Sequence, residues 1–125
     1  MVLGLGVDLL SIPRFEAALR RHPRLLERVF TAAERRACER KRRPLGSYAA
    51  RFAAKEAAMK ALGTGWGRGV GWQDVEVVGG LGRPPAIEFH GAAAERFGRM
   101  GGRRAVLSIT HEKEMAAAVV IIEGE

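Results

Sequence analysis

An α+β fold, with an antiparallel sheet packed with a long central helix and shorter helices, is predicted by two features of the residue pattern. Helical apolar spacings gather in the first half of the chain, whereas the second half is mostly short apolar runs joined by hairpin-like turns. The 125 residues are long enough for one core with little margin for another, so a single domain over 1–125 is expected.

The elements follow in order. Val2 to Val7 reads as a buried first strand ending at Asp8. Ile12, Phe15 and Leu19 recur at helical spacing and predict a helix to about Arg21, stopped by His22-Pro23. Thr31 with Glu34 is a capping-box signature for a second helix through about Arg42, closed by Pro44 and Gly46. Ser47 is then the N-cap of a long, alanine-rich helix from Tyr48 to Leu62, with Gly63 as its left-handed C-cap. Gly63 to Gly71, with five glycines, Thr64 and Trp66, is a loop of unusual backbone angles. Strands at Val75–Val78 and Ala86–Phe89 flank a Gly79–Pro84 turn. A short helix spans Ala92–Met100, Gly101-Gly102 break it, and strands at 105–109 and 115–122 are joined by Thr110 to Glu114.

Composition narrows the function. There are 21 Lys and Arg against 14 Asp and Glu, a net charge of +7. An anionic partner follows: nucleic acid, an acidic protein or a polyphosphate cofactor. The lone Cys38 cannot form an internal bridge and suits a reducing cytoplasm. The apolar N-terminus lacks a preceding basic region and meets Asp8 too early for a signal peptide. Arg and Glu recur too often for a membrane span, so a soluble, cytoplasmic protein is expected.

The long helix carries the chemistry. At 100° per residue, Tyr48, Phe52 and Met59 form one stripe, with Arg51 and Lys55 on one side and Glu56 and Lys60 on the other. Ala50, Ala53, Ala57 and Ala61 occupy the far side and permit close packing. Glu56 and Lys60 read alone as an ordinary surface pair. Arg51 and Lys55 repel unless something anionic sits between them, which hints at a bound phosphate. Gly63-Thr64-Gly65 is either a C-cap and turn or, with Lys60, a phosphate cradle. Asp8 is a turn residue or a hard-cation ligand; paired with Glu56 it supplies the one or two carboxylates that magnesium takes beside water and phosphate oxygens. His111, in a hairpin turn, reads more readily as structural or merely exposed than as catalytic.

Five segments together resemble the holo-acyl-carrier-protein synthases, the small, trimeric type within the 4′-phosphopantetheinyl transferase superfamily. They are Gly4 to Ile12, Arg51 to Gly65, Trp72 to Val77, Gly82-Arg83-Pro84 and Ser108 to Glu112. Arg83 stands where that family often has lysine, and Thr110 where it often has serine. The stretch from Arg24 to Pro44 matches no signature.

The resemblance implies a phosphopantetheinyl-transferase-like fold, Asp8 and Glu56 as magnesium ligands, and Lys60 beside the reacting phosphates. It places Arg51 and His111 near the phosphates of coenzyme A, with Gly63, Thr64 and Gly65 lining the cofactor site. It implies a homotrimer with cofactor sites at subunit interfaces and a role in fatty acid biosynthesis. The expected reaction is attack by a carrier-protein serine on the β-phosphate of coenzyme A, expelling adenosine 3′,5′-bisphosphate. Glu56, directly or through water, accepts the serine proton, so Asp8, Glu56 and Lys60 form the catalytic set.

Arg14 and Arg21 project from the first helix opposite Ile12, Phe15 and Leu19. They read as a solvated face or, with Arg24, as contacts for the acidic acyl carrier protein that the resemblance implies. Two other classes compete: a basic nucleic-acid-binding module and a non-catalytic coenzyme A binder. The first lacks aromatic residues on a basic strand surface and any zinc or helix-turn-helix signature. The second is disfavoured because both carboxylates remain, so neither a nucleic-acid nor a membrane partner is expected.

Overall fold

In the computed structural model of the chain, the described residues are 1–65, 67–80 and 82–125. Trp66 of the glycine-rich loop and Leu81 of the expected Gly79–Pro84 turn lie outside them. The element order is β1 (Val2–Ser11), α1 (Ile12–Arg21), α2 (Leu25–Val29), α3 (Ala32–Glu39), α4 (Pro44–Leu62), a 3₁₀ turn (Trp72–Asp74), β2 (Val75–Val78), β3 (Ala86–Phe89), α5 (Gly91–Arg99), β4 (Arg104–His111) and β5 (Met115–Glu123). The α+β class holds. The strands divide between two antiparallel sheets, β1-β5-β4 and β2-β3.

Local chemistry sets the helix ends. The Ser11 hydroxyl accepts from the Arg14 amide at the start of α1. Thr31 and Glu34 form the expected reciprocal capping box on α3. The long helix begins at Pro44 rather than after Ser47. Proline is pre-organised for the first turn of a helix, so Pro44 opens α4 where the sequence pattern suggested an end to the preceding helix. Gly46 lies within this helix because the His111 ring packs against it: a Cβ there would sit 3.1 Å from the imidazole. Gly63 closes α4 with φ of 77°, in the left-handed region expected.

Helix α4 is buried on almost all sides. Ala49, Ala50, Ala53, Ala54, Ala57, Ala58 and Ala61 are all inside, so small side chains bring neighbouring backbones close. The closest approach is to β1. A Cβ on Gly6 would lie 1.7 Å from the Ala57 carbonyl oxygen, and one on Gly4 would lie 2.1 Å from that of Ala61. No side chain fits there, so these glycines let the strand rest directly on the helix backbone. β1 continues through Ser11, which puts Asp8 within the strand, opposite Ala118, rather than at its end.

The polar side of α4 that carries Arg51 and Lys55 is also inside. Lys55 is fully buried and pairs with equally buried Glu34 at 2.8 Å. Its ammonium also donates to the Trp72 and Val75 carbonyls, while Glu34 accepts from the Thr31 and Val77 amides. Burial lowers the Lys55 pKa, and Glu34 opposes that shift. Lys55 is therefore spent within the fold, which removes the bound phosphate suggested by its spacing from Arg51. Among the described residues no helix is long and apolar enough to cross a membrane.

Candidate active site

The seam between β1 and α4 brings Asp8, Glu56 and Lys60 together. Lys60 Nζ lies 3.2 Å from Asp8 Oδ1 and donates to the Val7 carbonyl at 2.9 Å. Asp8 is buried, yet among the described residues its Oδ2 has no hydrogen-bond partner. An unpaired carboxylate oxygen out of water is costly unless something completes it. Glu56 is half-buried beside it, and its carboxyl is pushed up to about 7. Burial is the largest cause, the nearby Asp8 carboxylate adds to the shift, and Lys60 opposes it. Two adjacent carboxylates that resist joint ionisation need a proton or a cation between them. Their all-oxygen donor set, with one buried oxygen unused, fits a hard divalent ion such as magnesium.

The other site residues expected from the sequence are spread over several elements. Arg51, one helical turn before Lys55, is buried and donates to the Val77 and Gly79 carbonyls at 2.5 and 3.3 Å. His111 lies elsewhere, at the end of β4 against Gly46. It lines a cavity of about 310 Å³ with Arg43, Leu45 and Lys113. Arg51 and His111 thus face different surroundings. Gly63, Thr64 and Gly65 follow α4 directly; Gly63 and Gly65 have φ of 77° and 60°, and the Thr64 hydroxyl donates to the Gly65 carbonyl at 2.9 Å. Arg14, Arg21 and Arg24 are exposed on and after α1, and Arg24 lies 3.9 Å from Glu27.

Three contributors escaped the sequence reading. Gly4 and Gly6 set the depth of β1 on α4 and therefore the position of Asp8. Glycines at alternate positions of an apolar strand are the signal that could have found them. Arg96 of α5 donates to the Leu62 carbonyl at 2.8 Å and reaches to within 3.5 Å of where a Gly63 side chain would begin. Glu34 was visible as a capping residue, but its bond to Lys55 was not.

Comparison with known proteins identifies the family. Residues 4–119 match the family model of the 4′-phosphopantetheinyl transferase superfamily. The holo-[acyl-carrier-protein] synthase of Koribacter versatilis is 48% identical over 124 residues, covering 98% of this chain and 99% of the relative. That of Moorella thermoacetica is 45% identical over 123 residues, covering 98% and 95%. The Neisseria meningitidis holo-[acyl-carrier-protein] synthase structure superposes with a TM-score of 0.88 at 28% identity, covering 98% of this chain and 99% of that one. The Helicobacter pylori synthase, solved in complex with coenzyme A, gives 0.82 at 30% identity, covering 95% and 99%. The chain belongs to the 4′-phosphopantetheinyl transferase superfamily and, within it, to the holo-[acyl-carrier-protein] synthases.

Proposed function

We propose that this chain transfers the phosphopantetheine arm of coenzyme A to a serine of an apo acyl carrier protein, with Asp8 and Glu56 holding a magnesium ion. The observation that carries this reading is the buried, unpartnered Asp8 Oδ2 beside Glu56 and Lys60 in a member of this family. When bound, such an ion supplies charge neutralisation and alignment for the pyrophosphate, which is what phosphoryl-type transfer chiefly needs.

The chain's own residues account for the rest. The serine oxygen attacks the β-phosphorus as the bond to the bridging oxygen breaks, and adenosine 3′,5′-bisphosphate leaves. Glu56, directly or through water, takes the serine proton. Lys60 uses two donors on Asp8 and Val7, leaving its third N–H for a phosphate oxygen. Gly63, Thr64 and Gly65 continue the floor of the site beyond Lys60. His111 shares its cavity with Arg43, Lys113 and Glu112, and the two basic side chains there suit the phosphates of coenzyme A. Arg51 acts by holding the Val77 and Gly79 carbonyls.

We further infer that one domain carries the reaction and that it works as a homotrimer. The outer face of the three-stranded sheet supports self-association: Leu5, Val7 and Leu9 are 61%, 59% and 67% exposed, and Val106 adds to them. A cofactor bound across a subunit boundary would bring His111 of one copy to the carboxylates of another. The buried, unbridged Cys38 suits a reducing cytoplasm.

The deciding experiment incubates the chain with coenzyme A, magnesium and an apo acyl carrier protein, then weighs the carrier by mass spectrometry. The carrier gains one phosphopantetheine arm, and the gain disappears with chelator. An unchanged carrier mass, with folded protein and magnesium present, overturns the proposal.

A further inference from the structure

The second sheet carries a constellation that the transfer reaction does not use. β2 and β3 are only four residues each, and a two-stranded ribbon of that size is marginal by itself. Glu76 and Glu88 stand directly opposite one another in its register. Like charges at such a pair weaken a ribbon. His90, two residues beyond Glu88, falls on the same face.

One nitrogen and two carboxylate oxygens converge there, with ligand atoms of Glu76, Glu88 and His90 all within 4.8 Å of one another. His90 Nε2 is 3.0 Å from Glu76 Oε1. That is a hydrogen-bonded ion pair; two atoms bound to one tetrahedral zinc ion at about 2.1 Å lie about 3.4 Å apart, so the pair need open by only about 0.4 Å to bracket an ion. Glu76 is fixed from outside the trio: the Thr31 hydroxyl donates to its Oε2 at 2.8 Å, which leaves Oε1 turned toward His90. Ligating carboxylates are commonly held in this manner by a second hydrogen bond. Glu88 is exposed and has no hydrogen-bonded or charged partner among the described residues, so it retains the freedom to close the remaining span.

We propose that Glu76, Glu88 and His90 form a second cation site, of the zinc class, that clips β2 to β3. Its chemistry differs from that of the Asp8–Glu56 seam. Imidazole nitrogen with carboxylate oxygen favours zinc and neighbouring transition metals, whereas the all-oxygen seam favours magnesium. The clip would also steady the carbonyls of Val75, Val77 and Gly79, which Lys55 and Arg51 hold from α4.

The test titrates the full chain with zinc chloride in excess magnesium, by calorimetry, and follows the ring signals of the three histidines by NMR. One zinc binds, and the His90 ring signals shift more than those of His22 and His111. Losing even an outer-shell partner typically weakens a metal site about tenfold or more. His90→Ala and Glu88→Gln, both at exposed positions, should therefore each weaken binding by at least about tenfold. His111→Ala and Glu56→Gln should leave it unchanged. The proposal falls if wild-type protein binds no zinc, if either His90→Ala or Glu88→Gln keeps wild-type affinity, or if affinity is lost in His111→Ala or Glu56→Gln.

Discussion

Lys55 and Glu56 are neighbours on α4, yet they occupy opposite kinds of electrostatic site. Lys55 meets Glu34, both fully buried, and carbonyls and amides from the 3₁₀ turn, β2 and the start of α3 complete the pair. Glu56, about 100° around the helix, meets Asp8, a second carboxylate, with one buried oxygen left over. The first site is closed, and nothing could be added without breaking it. The second is left incomplete by the protein alone. A fold tolerates such a deficit where a ligand makes it good, so the contrast separates a structural ion pair from a reactive one on the same helix.

The largest expected effects make that contrast directly. Glu56→Gln should reduce transfer by about 10²-fold or more, the usual contribution of a positioned acid–base group. Its thermal stability should equal or exceed that of the parent, because a charge conflict has been removed. Glu34→Gln should do the reverse: breaking a buried pair from one side costs about 3–5 kcal/mol, and activity per folded molecule persists. Melting curves alongside carrier-modification rates separate the two. If Glu56→Gln unfolds while Glu34→Gln remains stable and inactive, the roles assigned to the two sites are reversed.

A smaller effect is expected from pH. The Glu56 carboxyl sits at about 7 in the folded chain, against roughly 4.3 for an ordinary glutamate. Between those values the folded state binds more proton than the unfolded one, so this group stabilises the fold most at low pH and loses that contribution as pH rises through about 7. Metal-free protein should therefore lose melting temperature between about pH 5 and pH 8, and Asp8→Asn should lose less. Equal slopes in the two proteins would remove Asp8 as a source of the shift.

The closed and open sites also differ in how much of each was legible. The open one was largely readable because its parts are local: Glu56, Lys60 and Gly63 share one helix and its cap, and Asp8 follows an apolar strand. What could not be read was depth. Asp8 lies inside β1 because the strand runs on to Ser11, and its isolation depends on Gly4 and Gly6 lying against the Ala57 and Ala61 carbonyls. The closed site was almost invisible. Glu34 satisfied a local rule as the third residue of a capping box, and nothing local tells that its carboxylate also meets Lys55, 21 positions further on. The start of α4 was missed for a related reason. Pro44 and Gly46 are breakers by propensity; Pro44 is accommodated in the first helical turn, and only the tertiary packing of His111 on Gly46 shows why the glycine is tolerated here. The five-residue α2 is too short to give a period.

The smallest effect expected lies away from both sites and tests whether the reaction can be weakened without touching either. Arg14 is exposed on α1, and its amide rather than its guanidinium serves the helix cap on Ser11. Ile12 and Phe15 hold the other face of α1 in the core. Charge reversal there leaves folding and the Asp8–Glu56 seam intact. If an acidic carrier protein docks on this face, Arg14→Glu raises the KM for the carrier a few-fold at low salt, with kcat and the KM for coenzyme A unchanged. The penalty then shrinks as salt screens the surface, since exposed charges separated by more than about 8–10 Å scarcely interact at physiological ionic strength. A KM that does not move at low salt would take α1 out of carrier recognition and direct attention to the exposed arginines beyond it; a fall in kcat instead would mean that α1 reaches the reacting groups through β1, which it follows directly at Ser11.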